Sequence, residues 1–147
     1  MQRQDYAQAK KAFGQSLAID AADQKAHLGL GMACMGLGET AECFNIFGQV
    51  LLADPDNVEA MRGLIQAGTA MQSWEALAGS LTRFVERNPA DCDMRFALAG
   101  VQLRAGQPDS AKRQFEMLSL LKPDLEGLNE LEALLRTALV DRHAMAT

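Results

Sequence analysis

The stretch LLADPDN at residues 51–57 decides the fold, because its proline recurs at a fixed interval. Pro55 is followed by Pro89 in FVERNPAD (84–91) and by Pro123 in SLLKPDL (119–125), and these three prolines are spaced 34 residues apart. Proline cannot continue a helix interior, since it lacks the N–H and clashes with the preceding turn. A proline that returns at this period therefore separates consecutive helix pairs.

Composition agrees with a helical repeat. The chain has 147 residues, of which 48% are hydrophobic but only 5% are aromatic. A core built mainly from Leu, Ala, Met and Gly favours helices over strands, which prefer β-branched and aromatic residues. We therefore predict an all-α chain of about one domain's length, residues 1–147.

The segments between the prolines share a pattern across two helices. The second repeat reads His27-x2-Leu30-Gly31-x2-Cys34, then Cys43-x3-Phe47. The third reads Met61-x2-Leu64-Ile65-x2-Gly68, then Leu77-x3-Leu81, and the fourth reads Arg95-x2-Leu98-Ala99-x2-Gln102, then Ala111-x3-Phe115. Upstream, Ala9-x3-Phe13 fits the second helix of a first repeat, with Ala21 at the proline position. This pattern resembles the tetratricopeptide repeat, W-x2-L-G-x2-Y, then A-x3-F, then proline. The usual Trp and Tyr are absent, and the shared 34-residue register makes the match specific.

The resemblance implies a right-handed α-α superhelix, a solenoid of about three full repeats. We expect a half repeat at 1–23, full repeats at 24–57, 58–91 and 92–125, and a C-terminal capping helix at 126–147. The expected helices lie near residues 3–18, 24–37, 40–53, 58–71, 74–87, 92–105, 108–121 and 125–143.

Several residues are predicted to hold the repeats together. Phe47, Leu81 and Phe115 are expected to wedge beside the next repeat, and Trp74 to be a packing aromatic. Glycines at the inter-helix turns, Gly38 and Gly106, suit the left-handed backbone conformation that often follows a helix.

Both ends of the array leave alternatives open. The first repeat lacks its first helix, so the apolar face of residues 6–19 is covered by another molecule, or the chain is a fragment of a longer array. The last helix is a cap, the start of a fifth repeat with its register shifted by two residues, or a dimerisation helix.

Charge and motif content argue against several functions. The net charge of −5 and the pI of about 5.0 disfavour binding to nucleic acid, which needs clustered Lys and Arg. No apolar run is long enough to span a membrane, and no signal peptide is visible. Three cysteines without a Cys-x-x-Cys pair indicate no metal site and a reducing compartment. The glycine-rich segment 29–38 lacks a phosphate-loop ending, so no cofactor is predicted.

The remaining prediction is a non-catalytic protein–protein interaction scaffold or adaptor, with no catalytic residue of its own. In the family that the chain resembles, the first helices line a concave face that binds a peptide or a helix. Apolar side chains there would be exposed without a ligand. The candidate partner-binding residues are Lys25, Leu28, Met32, Met35, Arg62, Gln66, Phe96, Leu103 and Arg104.

The partner expected from these residues is a protein or peptide with an apolar segment, because the Lys, Asn and Arg clamp of chaperone-binding relatives is absent. The alternatives are the repeat segment of a larger enzyme, such as a glycosyltransferase, and a secretion-type chaperone. We expect a cytoplasmic, bacterial type of protein, periplasmic only if the chain is a fragment. Homo-oligomers through the exposed terminal helices are a further expectation.

Overall fold

The computed structural model describes residues 2–146, with side chains for residues 2–143. This part of the chain forms eight helices and no strand, so the predicted all-α class is confirmed. The helices are α1 (Arg3–Ile19), α2 (Gln24–Gly36), α3 (Thr40–Ala53), α4 (Val58–Ala70), α5 (Trp74–Arg87), α6 (Cys92–Arg104), α7 (Pro108–Leu121) and α8 (Leu128–Ala146).

The helices fall into two compact units, residues 1–73 and residues 74–147. In the first unit, each helix from α1 to α4 packs on the next one, and α2 also contacts α4. In the second unit, α5 to α8 pack in the same order, and α6 also contacts α8. Within each unit, a first helix therefore contacts the first helix of the following repeat, α2 with α4 and α6 with α8. The predicted boundaries of the individual repeats stay a prediction.

Three first helices begin at a capping residue that recurs every 34 positions. The side chains of Asp23, Asn57 and Asp91 accept a hydrogen bond from the backbone N–H three residues later, over 3.1, 2.9 and 3.0 Å. Such a side chain satisfies one of the free N–H groups of the first turn. The next position in this series is Leu125, which cannot accept a hydrogen bond through its side chain. Consistent with this, α8 begins only at Leu128, three residues later than expected.

The turns inside the helix pairs use left-handed backbone. Gly38 and Gly106 have φ values of +77° and +76°, as predicted. At the equivalent position of the intervening repeat, Gln72 has a φ of 56° although it carries a Cβ. All three turns close with a hydrogen bond from an N–H to the carbonyl five residues earlier, which satisfies a free carbonyl of the helix end.

Phe47 is the best-defined wedge in the first unit. It is 1% exposed, and its ring fills the space that a Cβ would need on Gly31 of α2 and on Gly63 of α4. The prediction for Phe47 is therefore confirmed. In the second unit Leu81 is fully buried, whereas Phe115 is only half-buried at the edge of a core cluster.

The motif position that normally holds Trp contains three different side chains here. The His27 ring nitrogen Nε2 lies 3.0 Å from the carbonyl oxygen of Ala21. Arg95, although buried, donates to the carbonyl oxygen of Pro89 over 2.7 Å and to the Gln114 amide oxygen over 2.8 Å. The backbone carbonyls of Ala21 and Pro89 occupy the same place in the repeat. Each lies six residues before the side chain that contacts it, at the proline position of the pattern. Met61 has no polar group and is completely buried.

Helix α8 buries three leucines, Leu128, Leu131 and Leu135. Leu128 and Leu135 are buried, as are Met94 and Val101 at the equivalent positions of α6. With a two-residue shift, Leu134 would correspond to the buried Leu98, but Leu134 is 60% exposed. A shifted fifth repeat stays one of the alternatives. At the positions where α6 buries Arg95, Leu98 and Gln102, α8 carries Asn129, Glu132 and Arg136, and the last two form a 2.8 Å ion pair. A polar face of this kind favours the cap, which stays a prediction.

Candidate functional site

A groove of about 790 Å³ lies within the first unit. Helix α1 forms one wall, α2 the floor and α4 the other wall. The lining residues are Tyr6, Ala9, Phe13, Leu28, Gly29, Met32, Ala33, Met35, Gly36, Phe47, Glu59, Arg62, Gly63 and Gln66. The structure thus brings together five of the nine predicted residues: Leu28, Met32, Met35, Arg62 and Gln66.

The floor of the groove is apolar. Leu28, Met32 and Met35 lie on one face of α2, because residues separated by three, four or seven positions share a helix face. Met32 is 61% exposed, while Leu28 and Met35 are half-buried. Lys25 is exposed one turn before Leu28 but does not line the groove. An exposed methionine beside half-buried apolar neighbours makes an adaptable binding surface.

The α1 wall was not predicted from the sequence. The Phe13 ring lies where a Cβ on Gly29 would be, with carbon atoms within 2.6 Å of that position, and the Tyr6 ring does the same at Gly36. Two aromatic residues seven apart on α1 therefore meet two glycines seven apart on α2. This matched spacing is the sequence signal that could have identified the wall. Without a Cβ at these glycines, the rings can pack on the α2 backbone.

The α4 wall is polar. Glu59, Arg62 and Gln66 are exposed and follow one another at intervals of about one turn. Glu59 was absent from the predicted set, although it lies on the same face as Arg62. The groove therefore combines an apolar floor and an aromatic wall with a wall of two opposite charges and an amide.

The other three predicted residues lie in the second unit, where two of them are covered by their own unit. The Phe96 ring lies 2.9 Å from the position of a Cβ on Gly127, and both Phe96 and Leu103 pack against the core cluster that includes Leu128. Phe96 and Leu103 are therefore half-buried rather than exposed, as are Leu28 and Met35. Of the five apolar residues expected to be exposed without a ligand, Met32 alone is. The guanidinium of Arg104 lies 4.8 Å from the centre of the Trp74 ring, a cation–π contact. Partner binding by these residues stays a prediction.

An ion-pair cluster fastens α1 to the turn after α2. The Lys10 ammonium donates to the carboxylates of Glu39 and Glu42, over 2.5 and 2.9 Å. These bonds raise the pKa of Lys10, and the bond from Lys10 lowers the pKa of Glu39. A lowered pKa in the folded state means that the stabilisation is present above the unfolded pKa and is lost as the pH falls through the folded pKa.

Cys34 completes the only group of potential metal ligands within the described residues. Its sulfur and one carboxylate oxygen each from Glu39 and Glu42 lie within 4.8 Å of one another. Burial raises the pKa of Cys34 to about 11, so its thiol is protonated near neutral pH, whereas metals bind the thiolate. The two carboxylates already share the Lys10 ammonium. This arrangement is explained as an ion pair without a metal.

Comparison with known proteins supports the repeat fold. The family model for the tetratricopeptide repeat matches residues 1–68. The predicted resemblance to tetratricopeptide repeats is therefore confirmed for these residues. No curated protein sequence matches the chain. Among the described helices, none combines the length and apolar character that crossing a bilayer requires.

Solved structures extend the likeness to nearly the whole chain. A tetratricopeptide repeat protein from Parabacteroides merdae has a TM-score of 0.80 at 12% identity, over 93% of this chain and 55% of its own. MamA from AMB-1 has a TM-score of 0.74 at 25% identity, over 97% of this chain and 77% of its own. MamA from MSR-1 has a TM-score of 0.71 at 22% identity, over 95% and 78%. The predicted tetratricopeptide-repeat fold is confirmed.

Proposed function

We propose that the chain is a non-catalytic interaction scaffold that binds an apolar segment of a partner protein in the groove of the first unit. The supporting observation is the apolar floor, where Met32 is 61% exposed between an aromatic and a polar wall. A helix surface facing water normally carries polar residues at such a position. Burying the floor against a partner would contribute the hydrophobic part of the binding free energy.

The partner that fits this groove is a short amphipathic helix or an extended peptide. Along the floor, Leu28 and Met35 are seven residues apart, which corresponds to about 10 Å or two helical turns. The walls supply only two charged side chains of opposite sign, Glu59 and Arg62, so a strongly charged tail is a poor match. Recognition of this type is a helix-in-groove mode, with a few apolar anchors.

The proposed setting is a reducing, cytoplasmic one. All three cysteines are free thiols, and Cys34 and Cys43 are buried. Burial raises the pKa of both thiols to about 11, which suits a structural rather than a nucleophilic role. A protein that only binds would need none of these thiols for chemistry.

Replacing Met32 with glutamate tests the proposal. Because the side chain is mostly exposed, Met32→Glu should leave helicity and melting temperature unchanged while placing a charge on the apolar floor. We expect the variant to lose at least about 90% of partner capture from native lysate, since truncating a central anchor typically costs about 2 kcal/mol or more.

The matched control is Leu52→Glu, which places the same charge on α3 of the same unit, where the native side chain is 85% exposed and outside the groove. This variant should capture the partner normally. Equal capture by Met32→Glu and the wild-type chain would refute binding in this groove. Phe96→Glu is unsuitable, because Phe96 packs against the core of its own unit.

A further inference from the structure

The polar wall of the groove carries a directional charge pattern. On α4, Glu59 precedes Arg62 by three residues, and Gln66 follows one turn later. All three side chains are exposed, and within the described residues none of them forms an ion pair or a side-chain hydrogen bond. Glu59 and Arg62 are therefore available to an occupant of the groove.

The spacing of these charges fits one turn of a second helix. Three residues rise by about 4.5 Å along α4, and residues three or four apart on a partner helix are separated by about 4.5–6 Å. A partner helix could therefore place a basic residue beside Glu59 and an acidic residue beside Arg62 at the same time. Its order of charges then depends on its direction relative to α4.

Two physical effects favour an occupant that runs antiparallel to α4. An antiparallel helix meets Arg62 before Glu59, so its acidic residue precedes its basic residue, which is the more stabilising order within a helix. Opposed directions also bring each positive helix end near a negative one. A parallel occupant would need the less favourable order, with the basic residue first.

We propose that the groove selects amphipathic helices that run antiparallel to α4 and carry an acidic residue three or four positions before a basic one, beside an apolar face. This inference rests on the proposed function, which supplies the groove as the binding site. Leu28, Met32 and Met35 bind the apolar face, and Glu59 and Arg62 determine the direction.

A displayed peptide library tests the charge order directly. The probes are helices of about 18 residues, because shorter isolated helices are marginal in water. Leu and Met are fixed on one face, and Glu, Lys and Gln are randomised along its flanks. The library is selected on the wild-type chain and, in parallel, on Glu59→Arg/Arg62→Glu, in which the two charges are exchanged.

The wild-type chain should enrich peptides with Glu three or four residues before Lys over the reverse order, by about two- to fivefold for each matched exposed pair. The exchanged variant should reverse the preference. At 1 M NaCl, where the screening length is about 3 Å, the preference should disappear while apolar binding persists. A control exchange on α7, Lys112→Glu/Glu116→Lys, reverses an exposed ion pair outside the groove and should leave the preference unchanged.

The outcomes separate this inference from the proposed function. The same peptide library is also selected on Met32→Glu, and the peptides recovered there define the background of binding outside the groove. Peptides enriched over that background without a preferred charge order, or with the same order on the exchanged variant, would overturn the inference and leave the groove as a binding site. No enrichment over that background would overturn the proposed function together with the inference.

Discussion

Replacing Gly63 with alanine is expected to destabilise the chain, although the same substitution at Gly48 is expected to stabilise it. Both glycines lie within helices, where alanine is normally favoured by about 0.5–1 kcal/mol because glycine loses more backbone entropy. A Cβ on Gly63 would lie 2.3 Å from the Phe47 ring, whereas a Cβ on Gly48 would have no atom within 4 Å. The contact with the Phe47 ring therefore makes the change in the free energy of unfolding unfavourable at Gly63.

The Phe47 ring has little freedom to avoid the added methyl group. It is 1% exposed, and on its other side it lies 2.7 Å from the Cβ position of Gly31. Forcing an extra carbon into a well-packed core typically costs about 1–3 kcal/mol. Subtracting the helix-propensity gain leaves a net destabilisation of up to about 2.5 kcal/mol, or a decrease in melting temperature of up to about 10 °C for a chain of this size.

Thermal and urea unfolding, followed by circular dichroism, would measure both substitutions. A second substitution should restore the stability that Gly63→Ala removes. In the next repeat the position of Phe47 holds Leu81, and the position of Gly63 holds Ala97, so a smaller wedge accompanies a larger residue on the first helix. Gly63→Ala combined with Phe47→Leu should therefore be more stable than the two single effects added together, by about 0.5–3 kcal/mol of coupling. A stabilised Gly63→Ala variant, or strictly additive effects, would refute the wedge contact.

Three further changes have measurable outcomes. Gln72→Gly should raise the free energy of unfolding by about 1 kcal/mol, because a left-handed conformation costs an L-residue roughly 1–2 kcal/mol; an unchanged or lower urea midpoint would contradict this. Gln102→Met should stabilise by about 1 kcal/mol, since it removes a buried amide oxygen that has no hydrogen-bond partner among the described residues; a clear loss of stability would contradict this reasoning. In the folded chain at pH 8, iodoacetamide should modify Cys92, which is half-buried, faster than Cys34 and Cys43, whose thiols are buried and have a pKa raised to about 11; mass spectrometry showing equal rates would contradict their burial.

The helix pairs could be predicted because their signals are local and recur in phase. Prolines and capping residues such as Asp23 and Asn57 recur every 34 residues, and the turn glycines Gly38 and Gly106 fall in the same register, so each signal supports the others. Most predicted helix ends consequently lie within one residue of the ends in the structure. The start of α8 lies three residues after the predicted one, because its capping position holds Leu125, whose side chain cannot accept a hydrogen bond.

The groove was only partly predictable, because its walls depend on contacts between helices that are distant in sequence. The face of α2 followed from helical periodicity. The positions of Tyr6 and Phe13 depend on which glycine each ring meets, and that requires the packing of α1 on α2. Phe96 was misjudged for a similar reason: its cover depends on Gly127, which lies beyond the helix pair that contains Phe96.

Helix α1 differs from the other second helices in one respect that bears on affinity. Among its described residues none is fully buried, and its backbone packs on α2 alone, although the Lys10 side chain also pairs with Glu42 of α3. Elements with few buried contacts open at a lower free energy than the rest of a protein, so the amide protons of α1 should exchange with solvent before those of α3. Since α1 forms one wall, the groove is complete only in the fraction of molecules with α1 docked. The observed dissociation constant of a ligand that requires both walls equals its intrinsic value divided by that fraction, and conditions that hold α1 in place will tighten binding without altering a contact with the ligand.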